Sequence, residues 1–161
     1  MDIDHILDTF NKQGVEYLLL GGMNFLLRHK PVLTFDIDFW INDNPDNLCR
    51  CEKALAQLDA SWGASDDEWG KVGQRNPGWL SEQIMFCTMS PHGAIDIFRA
   101  VRGLGDWKES ASEAVEDETA NGIKYRGLSD ADMLKCQYAL EESQRNLDRI
   151  KTLEESGNIN G

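Results

Sequence analysis

Three aspartates of this chain sit inside apolar runs, where a lone acid is out of place. Asp36 and Asp38 lie in Val32-Leu33-Thr34-Phe35-Asp36-Ile37-Asp38-Phe39-Trp40-Ile41, and Asp96 lies in Gly93-Ala94-Ile95-Asp96-Ile97-Phe98. Both stretches are rich in β-branched and aromatic residues and read as buried strands. Side chains alternate along a strand, so Asp36 and Asp38 project from one face while Phe35, Ile37 and Phe39 take the other. Carboxylates in such surroundings are costly when unpaired, and two side by side repel, so the pattern calls for a cation. Oxygen-only ligands suit magnesium or manganese better than zinc. A third acid on an adjacent strand would complete a two-metal centre, which places Asp36, Asp38 and Asp96 as candidate metal ligands and catalytic residues. A purely structural account would have the pair capping a strand end against Arg28, and Asp96 pairing with Arg99 near a turn.

A second feature precedes the aspartates. Leu20-Gly21-Gly22-Met23-Asn24 falls where a short apolar strand ends and a helix begins. Glycines let the backbone approach a phosphate, and a helix start offers free N–H groups and the positive end of a dipole. Taken alone, a glycine pair of this kind often makes only a turn. Its position one helix ahead of the Asp-x-Asp strand ties it to the carboxylates.

The elements that must position these residues follow from periodicity and punctuation. Ile3, Ile6, Leu7 and Phe10 recur at helical spacing, and Gly14 stops that helix. Residues 15–22 read as a strand, 23–30 as a helix, and the Asp-x-Asp segment as the second strand. Asn44 as cap and Pro45 at the first helical position open a helix over 44–59. Residues 61–80, rich in Gly, Asp and Trp, read as irregular. "EQIMFCTM" and "AIDIFRAV" are strands joined by a hairpin at "SPHG". A short acidic helix is expected around 106–119, then a brief strand, then a capped helix from Ser129 running over about 130–155. The architecture expected is α/β: a mixed β-sheet flanked by helices, with residues 1–128 as the main domain, a C-terminal helix over 129–156 packed on it, and a free tail at 157–161. Trp62, Trp69 and Trp79 are read either as core or as an aromatic wall beside the site.

The 161 residues carry a net charge of −12, from 16 basic against 28 acidic side chains, which argues against a groove for long nucleic acid. A nucleotide can still bind locally where a divalent cation screens the carboxylates. No apolar run is long enough to span a membrane, and the acidic, helix-patterned start does not read as a leader, so a cytoplasmic protein is expected. Cys49, Cys51, Cys87 and Cys136 lack the spacing of a zinc site and are read as reduced thiols.

The order helix, strand, Gly-Gly, helix, Asp-Ile-Asp strand, helix and later Ile-Asp-Ile-Phe strand resembles the nucleotidyltransferase fold of the DNA polymerase β superfamily. It is similar in particular to small bacterial proteins of the minimal nucleotidyltransferase and AbiEii toxin-like kind. The resemblance covers roughly residues 3–100 and, more loosely, the helix after 129. It implies that Gly21 and Gly22 hold the triphosphate, with Asn24, Arg28 and Lys135 as further nucleotide-binding residues. Asp36 and Asp38 would bind the metal that bridges the phosphates, and Asp96 would complete the second metal site, where an acceptor hydroxyl attacks the α-phosphorus. Met23-Asn24 stands where many relatives carry Ser after the glycines, Val32 stands near the place of an Arg, and Asn146 stands where an acid is usual.

The function expected is magnesium- or manganese-dependent transfer of a nucleoside monophosphate from an NTP, ATP among them, to a small molecule, a protein or an RNA end. The alternative is a catalytically degenerate nucleotide-binding or partner-binding protein of a toxin–antitoxin-like pair. A metal-dependent phosphodiesterase would use the same carboxylates, but the glycine pair ahead of them argues against it.

Overall fold

The computed structural model describes residues 1–160. Its elements in chain order are α1 (Ile3–Lys12), β1 (Tyr17–Leu20), α2 (Gly21–Arg28), β2 (Asp36–Ile41), α3 (Pro45–Gln57), β3 (Ser61–Trp62), β4 (Gly70–Lys71), β5 (Met85–Ser90), β6 (Gly93–Phe98), α4 (Trp107–Ser112), β7 (Val115–Glu118), β8 (Lys124–Gly127), α5 (Asp130–Ala139) and α6 (Leu147–Asn160). The eight strands form one mixed sheet in the order β4-β3-β5-β6-β2-β1-β8-β7. Pairs β2/β6 and β1/β8 are parallel, and the others are antiparallel.

Strand alternation divides the apolar residues between the two faces. Leu19, Ile37, Phe39, Ile41, Phe86, Ile95 and Ile97 join Ile6, Leu7 and Phe10 of α1 and Leu55 of α3 in one buried cluster. Trp62 and Trp79 belong to it, stacked at 5.6 Å and packed on Phe86, so these two tryptophans are core and not a wall of the site. Trp69 is exposed. The other face carries a second cluster, in which Leu18, Leu20 and Trp40 meet Phe25 of α2, Trp107 of α4, Leu128, Met133 of α5 and Leu153 of α6. Fully burying side chains of this size contributes about 1.5–3 kcal/mol each.

Several local expectations hold for their stated reasons. Asn44 caps α3 by accepting from the Asn47 N–H at 2.9 Å, with Pro45 in the first turn. Ser129 caps α5 by accepting from the Asp132 N–H at 3.1 Å. Pro91-His92 closes the β5–β6 hairpin, with Ser90 opposite Gly93.

Others are corrected. β2 begins at Asp36, so Phe35 lies outside the strand and stands exposed, 75% accessible, beside Leu33 at 83%. The acidic segment expected as one helix splits into α4 and the edge strand β7, where Glu116, Asp117 and Glu118 face solvent. Charge on a sheet edge discourages pairing with another chain. The single helix expected over 130–155 is two, α5 and α6, broken by side chains and not by Gly or Pro. Arg145 donates from Nε to Leu140 O at 3.2 Å and from Nη2 to Tyr138 O at 3.1 Å, closing the end of α5. Gln137 Oε1 accepts from the Asn146 N–H, and Asn146 Oδ1 in turn accepts from the Arg149 N–H at 3.0 Å, starting α6. Of the expected free tail, the backbone is helical through Asn160, and residue 161 lies outside the described residues.

Candidate metal and nucleotide site

Asp38 and Asp96 are register partners on the parallel strands β2 and β6, and Asp36 lies two residues before Asp38 on the same face. One carboxylate oxygen from each of the three falls within 4.8 Å of the others. Among the described residues this is the only such grouping of three potential metal ligands. Asp38 Oδ1 is buried and has no hydrogen-bond partner among them. An orphaned carboxylate oxygen facing two more carboxylates fits a hard divalent cation, and no arginine or lysine nitrogen lies within 4.0 Å of the three among the described residues. The structural alternatives fail on geometry. Arg28 pairs with Asp130 at 3.1 Å, and Arg99 pairs with Asp43 at 3.0 Å.

Electrostatics tell the same story. Burial, together with the charges of Asp36 and Asp96, pushes the Asp38 carboxyl up to about 8. Burial and Asp36 push Asp96 up to about 6. Without a cation the site therefore retains a proton that the unfolded chain would release near pH 4. The folded state binds more protons across that interval, so the stability of the metal-free protein falls as pH rises from about 4 to about 8. Urea unfolding in EDTA checks this: the site's contribution is seen as a midpoint that declines over that range and is partly restored by magnesium at pH 8. A flat profile would contradict it.

The glycine turn faces the carboxylates. Gly21 adopts φ +61°, a left-handed conformation, and a Cβ there would lie 2.5 Å from Asp38 Oδ2. A Cβ on Gly22 would lie 3.2 Å from Thr34 Oγ1 and 3.5 Å from Arg149 Nη2. The residue at the N-cap of α2 is Leu20, whose side chain satisfies none of the free N–H groups of the first turn. Next to Asp96 on the neighbouring strand sits Cys87, flanked on the same open face by Met85 and Met89. All three are exposed. Burial first, then the charge of Asp96, pushes the Cys87 thiol up, so it is held as a thiol.

Of the residues expected at the site, the fold brings together Asp36, Asp38, Asp96, Gly21 and Gly22. Three others are engaged elsewhere. Asn24 is fully buried, donating from Nδ2 to Leu128 O at 3.2 Å and lying 3.2 Å from Met133 Sδ, while its Oδ1 fills the space above Gly127. It ties α2 to the start of α5. Arg28 spends Nη1 on Leu128 O at 2.6 Å and Nη2 on Asp130, which also meets His29 Nε2 at 2.8 Å. Lys135 is exposed, pairs with Asp132 at 3.6 Å, and lines a separate cavity with Gly103, Glu109 and Glu113. The cation that does face the site is Arg149 of α6, which sequence reasoning missed. Asn146 as a helix cap was the available signal, since it starts a new helix and turns the third residue beyond it inward.

A mixed sheet with three converging acids on parallel central strands and a glycine turn beside them is the arrangement of the nucleotidyltransferase fold, and this chain has that fold. The lincosamide antibiotic adenylyltransferase LnuA, solved with lincomycin bound, superposes with a TM-score of 0.62 over 95% of this chain and 94% of its own, at 18% identity. The antibiotic-resistance factor ANT(2'')-Ia superposes with a TM-score of 0.55 over 100% of this chain and 86% of its own, at 15% identity. No protein-family model and no curated protein matches the sequence.

Proposed function

We propose that the protein is a divalent-cation-dependent nucleotidyltransferase that moves a nucleoside monophosphate from an NTP to a hydroxyl of a small-molecule acceptor, in the cytoplasm, where NTPs are abundant. The observation that carries the reading is the convergence of Asp36, Asp38 and Asp96 within 4.8 Å directly below the Gly21 turn. Asp36 and Asp38 would hold a magnesium or manganese ion shared with the phosphates, and Asp96 would contribute to a second. Such ions neutralise charge on the entering and leaving oxygens of an in-line displacement. Gly21 and Gly22 remove the side chains that would fill the phosphate position, leaving the first-turn N–H groups of α2 free to donate. Asp96 would lie beside the acceptor hydroxyl and take up its proton as that oxygen bonds to the α-phosphorus and pyrophosphate leaves.

The acceptor class follows from the surface around Asp96. Met85, Cys87 and Met89 offer soft, adaptable apolar area on the strand beside it, suited to the body of a small organic molecule. A phosphodiester chain would meet this face and a net charge of −12 with little to favour it. That one structural neighbour is a lincosamide antibiotic adenylyltransferase with lincomycin bound, and another an antibiotic-resistance factor, supports a small acceptor. A second reading, nucleotide binding by a member of a toxin–antitoxin-like pair that docks a protein partner, is favoured by the exposed Leu33 and Phe35 beside the site.

Thermal unfolding with each NTP, with and without magnesium, tests the first half. A ligand that binds only the folded state raises its stability by about 2.7 kcal/mol at a hundredfold excess over Kd. A magnesium-dependent rise with at least one NTP is expected, and it should vanish in Asp36→Asn/Asp38→Asn. Transfer of label from that α-labelled NTP to a small hydroxyl compound then separates the enzyme from the partner-binding reading.

A further inference from the structure

We propose that Arg149 of α6 is the cation that receives the nucleotide's phosphates, and that α6 is thereby part of the nucleotide site; this rests on the nucleotidyltransferase reading above. Arg149 Nη2 points to the space above Gly22, 3.5 Å from where a Cβ would be. The same space is bounded by the Thr34 hydroxyl and by the first turn of α2, whose cap residue Leu20 makes no side-chain hydrogen bond. The Arg149 guanidinium and the first-turn N–H groups of α2 therefore border a position that a Cβ at residue 22 would crowd, with the Thr34 hydroxyl, which donates to Asp36 O at 3.2 Å, lining its other side.

Several of the other arginines are committed to carboxylates. Arg28, Arg99 and Arg126 each pair with a carboxylate and donate to a carbonyl as well. Arg149 shares the lack of a carboxylate within 4.0 Å with Arg75, Arg102 and Arg145 among the described residues. Arg75 and Arg145, however, donate to carbonyls, and Arg102 is exposed. The half-buried Arg149 guanidinium makes no hydrogen bond among the described residues, and its Nε is buried. Its guanidinium lies 5.2 Å over the Phe25 ring, which fixes its plane and leaves its outer edge toward the glycine turn. A rigid fork of donors held beside, but not paired with, metal-binding carboxylates matches the geometry of a metal-bound polyphosphate. The fork would take phosphate oxygens on one side while the cation at Asp36 and Asp38 takes them on the other.

The competing account is structural, with Arg149 pinning α6 to α2 through Phe25. The two accounts differ in sign for the metal alone. Removing a cation next to Asp38 leaves manganese binding in the absence of nucleotide unchanged or tighter, whereas loosening the fold around the carboxylates weakens it. Binding of Mn2+ alone, by solvent-proton relaxation, and of Mg·ATP and magnesium tripolyphosphate, by calorimetry, should be measured for the wild type, Arg149→Gln and Arg149→Lys.

Arg149→Gln is expected to weaken Mg·ATP and magnesium tripolyphosphate by about 10–100-fold, the range of a lost charge-assisted contact, with Mn2+ binding kept or tightened. Arg149→Lys should recover part of the loss. Equal weakening of Mn2+ and Mg·ATP, or unchanged Mg·ATP affinity in Arg149→Gln, would overturn the proposal. Should Arg149→Gln fail to fold, Arg149→Lys decides: Mg·ATP affinity reduced with Mn2+ affinity kept supports it, and unchanged Mg·ATP affinity overturns it. A wild type that binds neither Mg·ATP nor magnesium tripolyphosphate would overturn the underlying reading itself, a result distinct from either of these.

Discussion

Asp38→Asn is expected to do two opposite things: reduce nucleotide transfer by about 10³-fold or more, and raise the stability of the metal-free protein at pH 8. Both effects come from one oxygen. Asp38 stands between Asp36 and Asp96, its Oδ1 is buried without a partner, and its charged form is disfavoured by that burial and by both neighbours. With a cation bound, this arrangement is the ligand set. Without one, burial and the two neighbouring carboxylates make the ionised Asp38 an electrostatic debt at pH 8. The amide cannot ionise, so the debt disappears, and the pH dependence of stability between about 4 and 8 should flatten in the variant. Urea unfolding in EDTA at pH 5 and pH 8, beside single-turnover transfer, measures the pair of effects. A variant that loses both activity and metal-free stability would show that Asp38 supports the fold and not a cation.

Gly21→Ala should be the most damaging single methyl for nucleotide binding. Two penalties coincide there. The backbone is left-handed at φ +61°, which costs an alanine about 1 kcal/mol, and the new Cβ would lie 2.5 Å from Asp38 Oδ2. The carboxylate must move, and it is the one that cannot move without leaving the metal position. Gly122→Ala is the matched control, since φ is +83° there and nothing lies within 4 Å of the added carbon. Both variants should lose stability from the backbone, by similar amounts. Only Gly21→Ala should lose Mg·NTP binding, by about 100-fold or more, the cost of a displaced charged ligand. Thermal shift with Mg·NTP on the two variants compares them directly, and equal retention of binding would refute the close approach.

How far the sequence revealed this arrangement depended on the range of the forces involved. Asp36 and Asp38 declared themselves because period two and apolar flanks are local properties of β2. Asp96 could be matched to them because an acid between Ile95 and Ile97 has no other sensible environment. The register that makes Asp38 and Asp96 neighbours is a tertiary fact, and it was anticipated only through the resemblance. Polar residues were harder. Asn24 follows the glycines closely enough to be taken for a phosphate donor, yet helix geometry turns it inward, where Leu128 O takes its amide. Arg28 and Lys135 are ordinary basic residues whose partners, Asp130 and Asp132, lie together at the start of α5. The break between α5 and α6 was invisible to any search for Gly or Pro, because Gln137, Arg145 and Asn146 cap the ends with side-chain hydrogen bonds. Arg149 was lost with it, since its direction depends on that break.

The division of the core by the sheet has an evolutionary consequence. The cluster that packs α1 and α3 against the sheet holds no residue of the site, while the other face carries the carboxylates, the Phe25 platform and α6. Substitutions on the first face are filtered by whether the chain folds, and those on the second by what it does. A lineage could therefore alter the exposed row of β5 beside Asp96 while leaving the scaffold beneath the sheet untouched.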